Sequence, residues 1–488
     1  MTGSHRPPDF PASLEAEMLE STFRDPAGEL RLTPEFALRR IHPHAEAAAR
    51  GFLASPLRAA LESSGDMVRS TVAEPARHAC IAPGELWLEH PRIDPISYPW
   101  EWTPAQWRAA AELTLRVAGQ AIGAGWTLKD ATPLNIVFDG PRPVLVDVLS
   151  LERRDPHSTV WLAYGQFVRA FLLPLQAAKY LGWPLENTIF WRDGYEPRMI
   201  YQALKPWQRC SPDLLDVVTL ATLLEKPRTG QKQTRAAVKP AHPELAAHIL
   251  NKRLARLLRQ VRRTATPQPR SQWSRYAQCA THYSASDVDM KQQFVRSALD
   301  QCRPARVLDI GANTGSYSTL AAAAGARVIA VDNDAAALES LWSAAAERKL
   351  PITALAANIA QPTPAAGWRN REQLSLLERL AGNSDFVLML AVIHHLILRE
   401  QVPLQHIAEL CALLARRWLL VEWVPPSDPM YQEWLRGRDD LYGRLSEGDL
   451  LQALGPFFRL RRRQPLDNER VLLLLERSAR RIPEAVSA

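Results

Sequence analysis

The chain has 488 residues, of which 47% are hydrophobic and 23% are charged, and its formal net charge is +7 at pH 7. This composition is too apolar for a disordered chain and too varied for a fibrous one. The length predicts two or three domains. The five cysteines are scattered and none forms a CxxC pair, so neither a disulfide framework nor a zinc site is indicated.

Residue composition and patterning divide the chain into three predicted regions. Residues 1–205 are rich in tryptophan and proline, residues 206–270 are helical and basic, and residues 271–488 alternate apolar runs with helical patterns. The N-terminus lacks the basic segment and apolar stretch of a signal peptide. No apolar run is long enough to span a membrane. We therefore expect a cytoplasmic protein without a membrane span.

Polar residues at fixed spacing surround a predicted hairpin in the first region. Asp130 is followed five positions later by Asn135, two apolar runs flank the Asp139–Gly140 turn, and Asp147 follows the second run. This pattern resembles the catalytic loop and metal-binding aspartate of protein kinases and small-molecule phosphotransferases. The resemblance implies that Asp130 orients an acceptor hydroxyl and that Asn135 and Asp147 hold Mg²⁺.

The same region departs from the kinase pattern in three ways. The first lysine of the chain is Lys129, no GxGxxG loop precedes it, and Asp147 is followed by Val-Leu rather than Phe-Gly. Arg39 or Arg40 can replace the missing phosphate-binding lysine only in part. We predict an α+β, kinase-like N-terminal domain with a vestigial nucleotide site and no bound metal. A plainer alternative is that Asp130 and Asn135 only cap turns.

The basic region contains one strongly patterned helix. Residues 251–263 place Leu254, Leu257, Leu258 and Val261 on one face and arginines on the other. The pattern predicts a solvated connecting helix. The alternative is a contact with the phosphate backbone of RNA or another polyanion.

The strongest motif of the chain lies between Arg306 and Asp332. An apolar strand ends in a tight turn, Gly311 to Gly315, a helix follows, and a second apolar strand ends in Asp332. This is a βαβ unit with a glycine-containing first turn. The turn lacks the middle glycine of a dinucleotide fingerprint and the lysine of a P-loop.

The turn resembles motif I of class I S-adenosylmethionine-dependent methyltransferases. That resemblance implies a cofactor site of Asp309, Gly311, Asn313, Gly315 and Asp332, with Asn358 at the adenine after a third strand, 352–356. The alternative is another doubly wound domain whose glycine turn is incidental. Further strands are predicted at 385–392, 418–424, 457–462 and 470–476. We therefore expect a Rossmann-like domain: a mostly parallel sheet that ends in an antiparallel hairpin.

Candidate catalytic residues lie where the fourth and fifth strands end. His394 and His395 follow the fourth strand and Glu422 lies in the fifth, and open α/β sheets bind ligands at this edge. A neutral histidine can deprotonate an acceptor hydroxyl, although both histidines can equally serve as packing. Four further residues precede the first strand and have two interpretations, a lid over the cofactor or core packing: Trp273, Tyr276, His282 and Tyr283.

Taken together, the motifs resemble a bacterial family of class I methyltransferases related to rhizobial nodulation methyltransferases. The resemblance implies methyl transfer to a small-molecule, glycan or lipid-linked acceptor. Two alternatives remain open. One is a bifunctional kinase–methyltransferase, and the other is an RNA methyltransferase that binds RNA through the N-terminal half and the basic helix.

Overall fold

The structure is a computed structural model and describes residues 24–33, 35–78, 80–225, 242–265, 284–435 and 445–478. The predictions for Trp273, Tyr276, His282 and Tyr283 lie outside these residues. Within the described ranges no helix is both long enough and apolar enough to cross a membrane. The cysteines described there, Cys80, Cys210, Cys302 and Cys411, are free thiols.

The N-terminal half contains one larger sheet and two short strand pairs. Its strands are β1 Gly28–Leu32, β2 Phe36–Ile41, β3 Thr71–Val72, β4 Leu86–Pro91, β5 Trp126–Leu128, β6 Ile136–Asp139, β7 Arg142–Leu145 and β8 Leu151–Arg153. The first four form an antiparallel sheet in the order β1-β2-β4-β3. Strand β5 pairs with β8, and β6 pairs with β7 as the predicted hairpin.

Helices pack around these strands to complete the N-terminal half. They are α1 Glu46–Leu53, α2 Pro56–Ser64, α3 Pro104–Gly123, α4 Tyr164–Phe167, α5 Leu173–Leu181, α6 Pro197–Ala203, α7 Ala221–Leu223 and α8 Pro243–Arg263. A π-helical turn, Val168–Leu172, joins α4 to α5. Helix α3 begins after Thr103, whose side chain accepts the backbone N–H of Gln106.

The basic helix α8 packs against the N-terminal core. Its buried leucines and valine belong to the same apolar cluster as the residues of α3. Its arginines also pair with carboxylates of the N-terminal half: Arg256 with Asp216 at 2.8 Å and Arg262 with Glu112 at 3.2 Å. This helix therefore contributes directly to the N-terminal fold.

The C-terminal half contains a seven-stranded sheet in the order β11-β10-β9-β12-β13-β15-β14. Its strands are β9 Arg306–Ile310, β10 Arg327–Asp332, β11 Ile352–Ala356, β12 Ser384–Met389, β13 Ala415–Trp423, β14 Phe458–Pro465 and β15 Val471–Arg477. Strands β9 to β13 are parallel, whereas β15 runs antiparallel to β13 and to β14. The predicted Rossmann-like sheet with a closing antiparallel hairpin is confirmed.

Helices cover both faces of this sheet. They are α9 Ala285–Cys302, α10 Ser316–Ala323, α11 Ala335–Arg348, α12 Leu376–Leu380, α13 Ile393–Leu398, α14 Leu404–Leu414, α15 Pro429–Leu435 and α16 Glu447–Leu454. Ser284 begins α9 with a capping box, and the Asp334 side chain caps α11. Both faces of the parallel strands are buried, as expected for such a sheet.

The two halves meet along β11, which is an edge strand. Gln106 of α3 is fully buried and its Nε2–H donates to the carbonyl of Ala354 at 3.0 Å. The backbone N–H of Ala105 donates to Glu339 of α11 at 2.8 Å. The amino-terminal end of α3 thus covers the edge of the C-terminal sheet.

Candidate functional site

The turn after β9 needs unusual backbone angles at three positions. Gly311, Asn313 and Gly315 have φ values of 74°, 50° and 82°, which glycine adopts freely and asparagine tolerates. A Cβ on Gly315 would lie 2.1 Å from Leu341 Cδ1, and one on Gly311 would lie 2.5 Å from Val392 Cγ2. The two glycines let the turn fit between α11 and the chain after β12.

Asp332 ends β10 beside this turn. Its carboxylate accepts the backbone N–H of Asn313 at 2.7 Å and that of Asp334 at 2.8 Å. Burial is the largest influence on this group and raises its pKa, although the two backbone N–H groups act in the opposite direction. The hydrogen bonds fix the carboxylate against the turn.

A pocket of about 380 Å³ opens at the carboxyl edge of the parallel strands. The predicted cofactor residues in its lining are Asp309, Gly311, Asn313, Asp332 and Asn358. Gly315 is not part of the lining and packs against α11 instead. The location agrees with the rule that open α/β sheets bind ligands at this edge.

Asp309 is a buried acid on the floor of the pocket. Its carboxylate accepts the hydroxyl hydrogen of Ser318 at 2.6 Å. Burial raises the pKa of Asp309 to about 6, and the nearby Asp332 charge adds to this effect. The group therefore changes its protonation state close to neutral pH.

Lys291 of α9 is a pocket residue that the sequence analysis missed. Its buried ammonium donates to Glu422 Oε2 at 2.6 Å and lies 5.1 Å from the centre of the Tyr317 ring. Burial lowers the pKa of Lys291, whereas Glu422 and Asp309 favour its charged form. No local motif marks this lysine, because its partner lies 131 positions along the chain.

The three candidate catalytic residues take different positions. His395 lines the pocket, whereas His394 and Glu422 are buried outside its lining. The two imidazole rings lie 4.2 Å apart. Burial lowers the pKa of His395 to about 4 and lowers that of His394 well below its usual value, so both rings are neutral at pH 7.

Glu422 belongs to a buried ionic network behind the pocket. Besides its contact with Lys291, the Glu422 carboxylate lies 3.7 Å from the Arg470 guanidinium. Arg470 also donates a hydrogen bond to the Asp428 carboxylate at 2.8 Å. The side chains of Glu422 and Arg470 are fully buried. Because buried charges need partners, this network fixes the position of Lys291.

The polar residues around the N-terminal hairpin form a second cluster. Arg39 of β2 pairs with Asp147 at 3.1 Å and with Asp25 at 2.9 Å. Ser150 donates to Asp147 and accepts an N–H of Asn135 at 3.0 Å. Arg40 pairs instead with Glu85 at 2.5 Å. We call Asp25, Arg39, Asn135, Asp147 and Ser150 the Arg39 cluster.

Asp130 lies next to the Arg39 cluster. It is half-buried, and burial raises its pKa, with a further increase caused by the charge of Asp147. The next residue, Ala131, donates its backbone N–H to Gln166 at 2.7 Å. Among the described residues no group of three or more His, Cys, Asp or Glu side chains could hold a metal ion.

Comparison with known proteins gives one family match and one full-length relative. The family model described as a methyltransferase domain matches residues 308–417. The nodulation protein NoeA of Rhizobium meliloti (strain 1021) is 28% identical over 470 residues, which cover 94% of this chain and 95% of that protein.

Solved structures similar to the chain include two methyltransferases. Magnesium protoporphyrin IX methyltransferase (ChlM) from Synechocystis PCC 6803 is 22% identical, with a TM-score of 0.30, and the match covers 40% of this chain and 85% of that one. N-methyltransferase NodS from Bradyrhizobium japonicum WM9 is 15% identical, with a TM-score of 0.29, and the match covers 39% and 95% of the two chains.

The pocket residues fit S-adenosyl-L-methionine. Asp332 offers a carboxylate for a ribose diol, and Asn358 lies in the wall that follows β11. Lys291 and Asp309 bring an amine and a carboxyl group to the pocket lining, and these groups suit the carboxylate and ammonium of an amino acid. Residues 308–417 match the methyltransferase domain model, and the cofactor of this pocket is S-adenosyl-L-methionine.

Proposed function

We propose that the chain transfers a methyl group from S-adenosyl-L-methionine to a small-molecule, glycan or lipid-linked acceptor. The observation that carries this proposal is the pocket in which the Gly311–Gly315 turn, Asp332 and Asn358 converge. The bound cofactor supplies a methyl group activated by the sulfonium charge. The chain's own residues bind the cofactor, orient the acceptor and exclude water.

The proposed cofactor contacts follow from the groups that face the pocket. Asp332 accepts both ribose hydroxyls, because its carboxylate is already oriented by two backbone N–H groups. Asn358 contacts the adenine. Lys291 attracts the cofactor carboxylate and Asp309 its ammonium group, while Glu422 positions Lys291 from behind.

The proposed proton acceptor is His395. It lines the pocket, and with a pKa of about 4 its ring is neutral throughout the physiological range. The neutral ring can accept a hydrogen bond from an acceptor hydroxyl, and its lowered pKa makes it a weaker base than an ordinary histidine. We assign His394 a packing role because burial outside the pocket lining favours its neutral form.

The test of this function uses cofactor with a labelled methyl group. Wild-type protein and the Asp332→Ala variant are each incubated with cell extract, which is then separated into small molecules, glycans, lipids, protein and RNA. Label above the variant control in the first three fractions supports the proposal. Label confined to RNA or protein, or equal label with both proteins, would overturn it.

For the N-terminal half we propose a kinase-like arrangement that does not transfer phosphate, within a domain of residues 1–205. The supporting observation is that Arg39 pairs directly with Asp147, the residue expected to hold Mg²⁺. A bifunctional kinase–methyltransferase would instead bind Mg-ATP. Calorimetry of the full chain with Mg-ATP separates the two, because binding that is lost in Asp147→Ala would favour the bifunctional enzyme.

We also propose that residues 206–270 connect the N-terminal domain to a methyltransferase domain of residues 271–488. The ion pairs of Arg256 and Arg262 support a structural role for the basic helix, because they use its charges within the chain. An RNA-binding role predicts affinity for RNA that falls steeply with salt. Filter binding at two salt concentrations tests that alternative.

A further inference from the structure

One wall of the cofactor pocket is formed by the start of a segment whose later residues contact the N-terminal half at several positions. We call residues 357–380 the wall segment. It leaves β11 at the pocket, where Ala357, Asn358, Ile359 and Ala360 contribute to the lining, and it ends in α12. The position of the wall segment therefore sets the shape of the part of the pocket that is proposed to bind the nucleoside.

A buried ion pair ties the end of the wall segment to the N-terminal half. Glu101, which precedes α3, is fully buried and pairs with Arg379 of α12, whose side chain is 3% exposed. Arg379 also donates to the carbonyl of Ile96 at 2.6 Å, and its guanidinium lies 4.7 Å from the centre of the Tyr98 ring. Both partners are thus held in one geometry.

The same N-terminal residues also hold the middle of the wall segment. The Thr363 hydroxyl donates to Glu101, and the backbone N–H of Leu374 donates to Tyr98 Oη at 3.1 Å. The carbonyl of Thr363 in turn accepts the N–H of Leu376 at 3.0 Å. Glu101 therefore links two positions of the wall segment that are sixteen residues apart.

A second anchor lies further along the segment. Glu372 is buried, accepts the backbone N–H of Trp368 at 2.7 Å, and pairs with Arg192 at 3.0 Å and with Arg24. Both arginines belong to the N-terminal half. Charged groups of the N-terminal half therefore form ion pairs with the wall segment at two separate positions, Glu372 and Arg379.

Such contacts are better suited to fixing geometry than to adding stability. Removing two charges from water is costly, so a buried ion pair gives little net stabilisation compared with apolar packing. Removing one partner nevertheless leaves a buried charge without compensation. The arrangement consequently restricts Glu101 and Arg379 to one position relative to the pocket.

We propose that Glu101 and Arg379 are positioning residues for the cofactor: through them the N-terminal half fixes the wall segment in the form that binds the nucleoside. This inference rests on the proposed function of the pocket. It gives the N-terminal half a role in methyl transfer that requires neither phosphate transfer nor nucleic acid. Neither residue touches the pocket itself, so the effect reaches the cofactor through Asn358 and its neighbours.

The test measures the affinity of the full chain for S-adenosylhomocysteine by calorimetry, together with its thermal unfolding. Glu101→Gln keeps the shape of the side chain and removes its charge, and we expect at least tenfold weaker binding. Trp342→Phe is the matched control. It removes a 2.9 Å hydrogen bond to Pro141 that joins the same two halves without involving a residue of the wall segment, and its affinity should equal that of wild type.

The double variant Glu101→Gln, Arg379→Met separates positioning from stability. Because it removes both buried charges, its unfolding temperature should recover relative to Glu101→Gln, while its affinity stays at least tenfold reduced. An affinity that recovers with the unfolding temperature would show a merely structural role and overturn the proposal. Single variants that bind like wild type would also overturn it.

Two further measurements keep the outcome clear. If Glu101→Gln fails to fold, Thr363→Val removes only the hydroxyl contact, and we expect about threefold to fivefold weaker binding; unchanged affinity would then overturn the proposal. Failure of the wild-type chain to bind S-adenosylhomocysteine would instead refute the proposed function. That result differs from wild-type binding that these variants leave unaffected.

Discussion

The pocket of the C-terminal half and the Arg39 cluster of the N-terminal half both gather acidic side chains at the end of a strand, but they use them differently. In the pocket, Asp309, Asp332 and Lys291 line a cavity of about 380 Å³. In the Arg39 cluster, one guanidinium bridges Asp25 and Asp147 directly. The residue types of a motif therefore indicate ligand binding only when their polar groups face a cavity that can hold a ligand.

Among the substitutions that test this contrast between the two sites, Asp332→Ala should have the largest effect. Loss of two charge-assisted hydrogen bonds should weaken S-adenosylhomocysteine binding by at least about 1,000-fold. Calorimetry measures the affinity, and circular dichroism checks that the fold persists. Asp334→Asn, which alters the neighbouring acid and keeps an N-cap side chain, is the control. Normal binding by Asp332→Ala would refute the cofactor assignment.

A second prediction concerns the pH dependence of stability set by Asp309. Its folded-state pKa of about 6 lies above its ordinary value of 3.8, so folding favours the protonated form. Its contribution to stability is therefore present below pH 4 and is lost as pH rises through 6. Asp309→Asn cannot ionise and should become more stable than wild type by up to about 3 kcal/mol at pH 8.

Urea unfolding of both proteins at pH 4 and pH 8 measures this difference. The free energies of unfolding should be similar at pH 4 and should diverge between pH 4 and pH 6. A constant offset at all pH values would show that folding does not shift the pKa of Asp309.

A third change addresses the Arg39 cluster. Arg39→Met leaves Asp25 and Asp147 without their cation and should lower the free energy of unfolding by about 2 kcal/mol. Affinity for S-adenosylhomocysteine should change less than about twofold, because distant sites act independently. Arg40→Met is the control, since the Arg40 side chain is 36% exposed whereas that of Arg39 is 13% exposed. A large loss of cofactor affinity would contradict the contrast between the two sites.

The smallest effect is expected from Arg256→Ala on α8. Its ion pair with Asp216 is largely exposed on the arginine side, and such pairs contribute less than about 1 kcal/mol. Denaturant unfolding should barely distinguish this variant from wild type. A clear loss of RNA affinity in the variant would instead revive a recognition role for the basic helix.

The C-terminal sheet could be predicted because each parallel strand carries its own local pattern. The first three strands lie where the sequence predicts them. The fourth ends at Met389 rather than Val392, because Ala391 takes a φ of 55° and the chain turns into α13. The fifth begins at Ala415, ahead of the predicted Trp418, because its pairing with Ser384 extends the strand beyond its apolar run.

The candidate site could be predicted only in part. The turn and Asp332 are local motifs, whereas Lys291 depends on a partner in a distant strand. The two histidines are adjacent in sequence, and consecutive helical side chains point about 100° apart, so only the structure shows which one lines the pocket. Similarly, the sequence offers Arg39 and Arg40 equally, and their alternation along β2 sends only Arg39 toward Asp147.

The two edges of the seven-stranded sheet are protected in different ways. Strand β14 carries exposed arginines at positions 459, 461 and 463. Charged side chains on an edge strand disfavour edge-to-edge pairing with another sheet. Strand β11 is apolar and buried, and the N-terminal half covers its edge: Gln106 of α3 donates to the carbonyl of Ala354, and Gly140 of the β6–β7 turn lies against Ile352. We therefore expect a fragment without the N-terminal half to expose this apolar edge and to self-associate in gel filtration.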